Sequence, residues 1–156
     1  MIKLTIPEQN ELEIENAVFD FNGTLAVDGR LHQKVREMMM KIKETLNIYI
    51  LSSDTFGSVL EECSVLDVHV EIMQGENCST QKRRFVNSLG SEKTVCIGNG
   101  MNDIGMFQIC ALSIAVIGNE GCSAKALAVA DIAVRDIEDA MNLLLNPKRI
   151  TATLRG

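Results

Sequence analysis

The chain has 156 residues, a formal net charge of −6, and 46% hydrophobic against 23% charged residues. That size and composition suit one folded domain spanning 1–156 and exclude intrinsic disorder as its main state. No apolar run reaches the roughly 18 residues of a membrane span, and the start carries no basic-then-apolar leader. The expectation is a cytoplasmic protein with no membrane partner. The acidic balance argues against nucleic acid, whose phosphates want a basic face. Aromatic content of 4%, with no Trp, leaves little for stacking bases. Cys63, Cys78, Cys96, Cys110 and Cys122 are scattered without a C-x-x-C pair. They read as reduced thiols in or near the core.

In chain order, Ile2, Leu4 and Ile6 alternate with polar residues, as do Leu12 and Ile14, with Pro7 and Asn10 between. This predicts a β-hairpin over 1–16 added to a sheet edge. Residues 17–19 form an apolar strand that stops at Asp20. The Gly-containing turn at 27–31 suits a small hairpin. Residues 32–46 have helical spacing through Val35, Met38, Met39, Ile42 and Leu46. Met38, Met39 and Met40 are consecutive, so they point around that helix rather than to one metal. Residues 48–51 read as a strand. Ser52, Ser53, Asp54 and Thr55 then offer caps for a helix to about Leu66. A strand at 68–72, a helix at 80–89 ended by Gly90, and a strand at 94–97 follow. Next come a helix at 102–111, a strand at 112–117, a helix at 123–130, a strand at 132–134 and a helix at 136–145. The tail from Pro147 is basic. Alternating β and α with near-continuous apolar strands predicts an α/β, doubly wound three-layer sandwich on a mostly parallel sheet.

In such a sheet, ligands bind beyond the carboxyl ends of the strands. Asp20-Phe21-Asn22-Gly23-Thr24 follow the first parallel strand, and Ser52, Ser53 and Asp54 follow the second. Gly98-Asn99-Gly100-Met101-Asn102-Asp103 follow a later one, and Lys82 opens the helix before it. Carboxylates and amide oxygens suit a hard cation such as Mg²⁺, while a hydroxyl, a lysine and helix amides suit a phosphate. Together they point to phosphoryl transfer onto a carboxylate. Each piece alone has a plain reading: Asp before Gly-Thr as a turn, and a helical lysine as a solvated one. Their order and placement carry the specificity.

These motifs resemble the haloacid dehalogenase superfamily, and within it the soluble P-type-ATPase-like phosphatases. The motifs are D-x-x-G-T at 20–24, a strand-ending Ser52, Lys82, and a G-N-G-x-N-D form at 98–103 of the family's G-D-G-x-N-D. The flanks at 25–29 and 54–57 and the ending Asn146-Pro147-Lys148-Arg149 agree with that subgroup. The resemblance spans most of the chain and implies a Rossmannoid fold and a Mg²⁺-dependent phosphatase. It implies Asp20 as nucleophile and metal ligand, with the Asn22 carbonyl, Asn99 and Asp103 in the metal shell and Asn102 supporting. Ser52, Ser53, Thr24 and Lys82 would hold the phosphoryl group, Lys82 neutralising charge as it transfers.

Two positions depart from the family pattern. Asn22 stands where many members have an acid/base Asp, and an amide has no titratable proton. Asn99 stands where a direct metal-ligating Asp is frequent, which predicts weaker Mg²⁺ binding. The gaps after Thr24 and between Ser53 and Lys82 leave no room for a cap, so a capless enzyme is expected. Capless relatives act on macromolecules or close the site by oligomerising. The expected partner is therefore a phosphorylated small molecule or macromolecule, with a homodimer or homotetramer in view. The alternative is a catalytically impaired domain with a regulatory or phosphate-binding role; a self-phosphorylating domain is a third reading. His32 and His69 lie outside the motifs and read as structural or surface residues. Arg83 and Arg84 read as a solvated helix face. The loop Gly118-Asn119-Glu120-Gly121 lies near the same rim.

Overall fold

The computed structural model describes residues 1–7, 11–54 and 57–156. Asn10 of the expected hairpin turn, and Thr55 and Phe56 after the second parallel strand, lie outside the described residues. Six parallel strands form the main sheet: β3 (Asn16–Asp20), β4 (Asn47–Ser52), β5 (His69–Ile72), β6 (Thr94–Gly98), β7 (Leu112–Val116) and β8 (Ile132–Val134). Their spatial order is β5-β4-β3-β6-β7-β8. The chain winds outward from β3 through β4 to β5, then returns across β3 and winds the other way. The reversal leaves a crevice at the carboxyl ends of β3, β4 and β6, where such sheets bind ligands.

Two-residue periodicity sorts the strand side chains between two cores. Ala17, Phe19, Ile48, Ile50, Val95, Ile97, Leu112, Ile114 and Val116 face one core, and Val18, Leu51, Cys96 and Ala115 face the other. Every residue of β3, β6 and β7 is buried, as expected for strands covered on both faces. The first face is covered by α1 (Gln33–Lys43) and α6 (Ile137–Leu145), which pack against each other. Val35, Met38, Met39 and Ile42 of α1 point inward and Met40 stays exposed, so the methionine run is helix packing. The second face carries α3 (Cys78–Leu89), α4 (Ile104–Phe107) and α5 (Ala124–Val129). Among the described residues no helix is long and apolar enough to cross a membrane.

Two expectations need correction. The N-terminal hairpin, β1 (Ile2–Leu4) with β2 (Leu12–Ile14), is antiparallel, with Ile2 opposite Ile14. It forms its own two-stranded sheet and is not added to an edge of the main one. β2 leads straight into β3, the middle of the sheet, so neither edge is within reach. The hairpin instead packs near the amino ends of the strands, beside α7 (Lys148–Leu154). This helix is the basic tail, anchored by the buried Ile150. Second, the helix after β4 is shorter than predicted: α2 is Val59–Cys63. Ser52 finishes β4 instead of capping a helix, and Asp54 turns with φ +49°. Asp54 Oδ1 then accepts from Val59 N across the start of α2 (3.2 Å). The turn at 27–30 is a small hairpin as predicted: Val27 and Arg30 exchange backbone hydrogen bonds, with Asp28 and Gly29 both at positive φ. The five cysteines are free; Cys63 and Cys96 are buried and the other three half-buried.

Candidate active site

Asp20 is the last residue of β3, so its carboxylate emerges in the crevice where the chain reverses. Lys82 sits near the start of α3, and its side chain runs beneath the sheet rim at 0% exposure. That burial is the opposite of a helical lysine's usual fate. Lys82 Nζ donates to Asp20 Oδ1 at 2.5 Å and to Asp103 Oδ1 at 2.7 Å. Asp103 is itself 0% exposed. Its Oδ2 accepts from the backbone N–H groups of Asn99 (2.9 Å) and Gly100 (2.8 Å). A Cβ on Gly98 would run into this carboxylate, so only glycine leaves it room. Asp103, expected among the metal ligands, thus turns both oxygens inward, one to Lys82 and one to the turn at 98–100.

Two carboxylates share one ammonium, which leaves a net charge of −1 in a buried place. Burial first, and then the charge of Asp103, push the Asp20 carboxyl up to about 7. Burial alone would pull the Lys82 ammonium down, but Asp20 and Asp103 together outweigh it and hold the group above the ordinary lysine range. Lys82 is therefore a fixed cation. A buried ion pair is weak evidence of stability but a frequent mark of function.

The Thr24 hydroxyl lies 3.3 Å from Asp20 Oδ2 and 3.2 Å from Asn99 Oδ1. Asn99 Nδ2 donates to the Gly121 carbonyl at 3.0 Å, which turns the amide oxygen toward Thr24. Ser123 N donates to the Asn99 carbonyl at 2.8 Å, so the loop between β7 and α5 grips Asn99 twice. Gly23, at φ +76°, admits this packing: a Cβ there would stand 2.5 Å from Asn99 Nδ2. Ser52 Oγ accepts from Asp54 N (2.8 Å) and stands 3.5 Å from Asn22 Nδ2. Among the described residues, the buried Asn22 Oδ1 has no hydrogen-bond partner. Ser53 is exposed at the mouth, and Asn102 folds its side-chain oxygen against Gly100.

Of the residues expected in the site, Asp20, Thr24, Lys82, Asn99 and Asp103 are thus joined in one hydrogen-bonded group, with Asn22 and Ser52 beside it. Arg83 and Arg84 lie on an exposed helix face, and His32 and His69 are exposed. Sequence reading undervalued the loop of Glu120 and Gly121. Glu120 Oε1 accepts from Asp28 N at 2.8 Å, and the other oxygen lies beside Gly23. The signal was present in two glycines bracketing a polar pair, both at positive φ.

Among the described residues no three His, Cys, Asp or Glu side chains gather as metal ligands. The available donors are oxygens: the Asp20 carboxylate, the Asn22 carbonyl and the fixed Asn99 amide oxygen. One carboxylate with neutral oxygens fits Mg²⁺, which is commonly held by one or two carboxylates together with substrate phosphates.

Residues 80–139, the part that carries Lys82 and the 98–103 turn, match the haloacid dehalogenase-like hydrolase family. An uncharacterized protein of Methanocaldococcus jannaschii is 46% identical over 65 residues, 42% of this chain and 70% of that protein. A soluble P-type ATPase-like phosphatase of the same organism is 25% identical over 148 residues, 93% of this chain. This chain spans 54% of that phosphatase's length. In fold, the chain is similar to the 3-deoxy-D-manno-octulosonate 8-phosphate phosphatase of Moraxella catarrhalis, solved with a magnesium ion, a phosphate ion and KDO. The TM-score is 0.70 at 18% identity, covering 91% of this chain and 94% of that one. Over residues 80–139 the chain is thus similar to the haloacid dehalogenase-like hydrolases, and over 93% of its length to a soluble P-type ATPase-like phosphatase.

Proposed function

We propose that the chain is a Mg²⁺-dependent phosphohydrolase that works through an aspartyl-phosphate on Asp20. The observation that carries this reading is the buried Asp20–Lys82–Asp103 group at the strand reversal. A nucleophilic carboxylate needs a fixed cation beside the transferring phosphoryl group, and Lys82 is one. Asp20 attacks phosphorus and the bond to the leaving oxygen breaks. Lys82 balances the charge on the phosphoryl oxygens, and Ser52 and Thr24 offer hydroxyls to them. Ser53, at the mouth, extends that set. Water then attacks the phosphorus of the aspartyl-phosphate, and the electron pair returns to Asp20. Mg²⁺, held by Asp20, the Asn22 carbonyl and Asn99 Oδ1, would supply charge screening between phosphate and carboxylate. Asp103 holds Lys82 in place, with Asn102 bracing the turn. The site has no inserted cap above it among the described residues, which supports a capless enzyme.

Asn22 bears on speed. General acid–base catalysis contributes about 10²–10⁴-fold, and an amide forfeits it. Slow turnover follows. The test is release of phosphate from acetyl phosphate and an aryl phosphate with Mg²⁺, alongside Asp20→Asn. Turnover that the substitution abolishes supports the enzyme. A second reading, a regulatory domain that binds phosphate without turning it over, is favoured by the two amides at 22 and 99. It is the reading left standing if neither donor is turned over and beryllofluoride still binds at Asp20.

A further inference from the structure

The loop between β7 and α5 is built as a rigid frame beside the site. Its base is tied to the sheet, where Ile117 N donates to the Val134 carbonyl and Gly118 N to the Arg135 carbonyl, both at 2.9 Å. At its far end the Gly121 carbonyl and Ser123 N hold Asn99. Between these anchors the backbone lies against the turn after Asp20: a Cβ on Gly118 would stand 3.3 Å from the Gly23 carbonyl oxygen. Glu120 is the side chain that reaches out of this frame. Its Oε1 accepts from Asp28 N at 2.8 Å, and its Oε2 lies 3.2 Å from where a Cβ on Gly23 would stand.

Asp28 has φ +51°, a left-handed conformation that a residue with a Cβ adopts at a cost. It is a corner of the hairpin in which Val27 and Arg30 exchange backbone hydrogen bonds of 3.1 and 3.0 Å. Two residues before it, Ala26 closes the turn after Asp20. Ala26 N donates to the Phe21 carbonyl and Gly23 N donates to the Ala26 carbonyl, both at 2.9 Å. A shift at Asp28 therefore passes through Ala26 to the Asn22 carbonyl, Gly23 and Thr24, whose hydroxyl meets Asp20 Oδ2. On the β4 side, Ser58 Oγ donates to the Gly29 carbonyl at 2.7 Å and Leu31 N donates to Glu62 Oε2 at 2.9 Å. The hairpin is thus fastened from both sides, by α2 on one and by Glu120 on the other.

From this geometry we propose, resting on the phosphohydrolase reading above, that Glu120 is a positioning residue. It clasps the hairpin at Asp28 and thereby fixes the turn that sets Thr24 and the Asn22 carbonyl around the Asp20 carboxylate. The group it holds is a neutral backbone N–H, so an acceptor oxygen is what the clasp requires. An exposed hydrogen bond of this kind adds little to stability. Misplacing reacting groups by about 1 Å, in contrast, costs about 10²-fold in rate. Glu120 therefore matters for geometry and hardly for folding.

The test compares Glu120→Ala with Glu120→Gln in the full chain. The readouts are acetyl phosphate turnover with Mg²⁺, urea unfolding, and amide hydrogen exchange followed by NMR. Glu120→Ala should lower kcat by about 10²-fold. It should leave the urea midpoint and the KM for acetyl phosphate near the wild-type values, and speed exchange at Asp28, Gly23 and Ala26 but not in the helices. Glu120→Gln keeps an acceptor oxygen and should recover the protection and most of kcat. Wild-type kcat with unchanged exchange at Gly23 and Ala26 in Glu120→Ala would overturn the proposal. So would Glu120→Gln as slow as Glu120→Ala, which would assign the effect to charge, or a loss of kcat that merely follows a lowered urea midpoint. Absence of Asp20-dependent turnover in the wild-type chain would remove the phosphohydrolase reading, and the exchange comparison would still decide whether Glu120 clasps the turn.

Discussion

At the scale of single residues, the electrostatics of Asp20 make a prediction about pH. Its carboxyl is pushed up to about 7, first by burial and then by Asp103. In the unfolded chain the same group titrates near 3.8. A raised folded pKa means that the native state holds the proton more tightly. The associated stability is fully present below the unfolded value and is lost as pH rises through about 7. Asp20→Asn removes the charge and leaves Lys82 neutralised by Asp103 alone. The variant should therefore be more stable than the parent at pH 8, and its advantage should shrink by roughly 2 kcal/mol toward pH 5. Urea unfolding at the two pH values measures this, and a pH-independent gap would contradict it. Asn99 gives a second prediction. Its Nδ2 donates to the Gly121 carbonyl. Asn99→Asp sets a carboxylate against that carbonyl, so folding without metal should weaken by about 1–3 kcal/mol. The added charge should at the same time tighten Mg²⁺ binding, as calorimetry would show. Unchanged stability with unchanged Mg²⁺ affinity would mean that Asn99 faces neither.

At the scale of elements, the reach between Lys82 and Asp103 depends on how closely α3 approaches α4. Gly105 sets that distance: its N–H donates to Ser79 Oγ at 3.1 Å, and a Cβ there would stand 2.6 Å from the Ser79 backbone carbonyl. Backbone cannot step aside as a side chain can. Gly105→Ala should cost about 1–3 kcal/mol and lower Asp20-dependent turnover, because the two helices must part. Wild-type activity and stability in this variant would show that the approach is not needed. Nothing in the sequence marks this contact, since Ser79 and Gly105 belong to no motif. The strands were legible because β3, β6 and β7 are buried on both faces and carry near-continuous apolar runs. The start of α2 was not. Ser52 has the chemistry of a cap, but its backbone belongs to β4. The hairpin's strands were legible by alternation, whereas its place was not, because a pattern of two-residue period does not say which sheet the strands join. Lys82 needed its motif, since composition alone would leave it in solvent.

At the scale of the whole molecule, the candidate site and the structural support lie at opposite ends of the sheet. The reactive groups gather at the carboxyl ends of the strands, while the hairpin and α7 pack near the amino ends. Ile150, 1% exposed, anchors α7 in the larger core. Ile150→Ala should therefore lower stability by about 2–4 kcal/mol with little change in turnover at temperatures where the chain stays folded. Loss of turnover in a folded variant would mean that the two ends are coupled. With no cap among the described residues, the net −6 charge and the few aromatics give the mouth little to recognise beyond the phosphoryl group itself. The phosphohydrolase reading rests on covalent chemistry at Asp20, and a trapping measurement addresses it directly. The chain is mixed with labelled acetyl phosphate and Mg²⁺, quenched in acid and digested, and the labelled peptide is identified by mass spectrometry. A hydroxylamine-sensitive phosphate is expected on Asp20, absent in Asp20→Asn. Phosphate release by the wild-type chain with no label at Asp20, or label unaffected by the substitution, would contradict it.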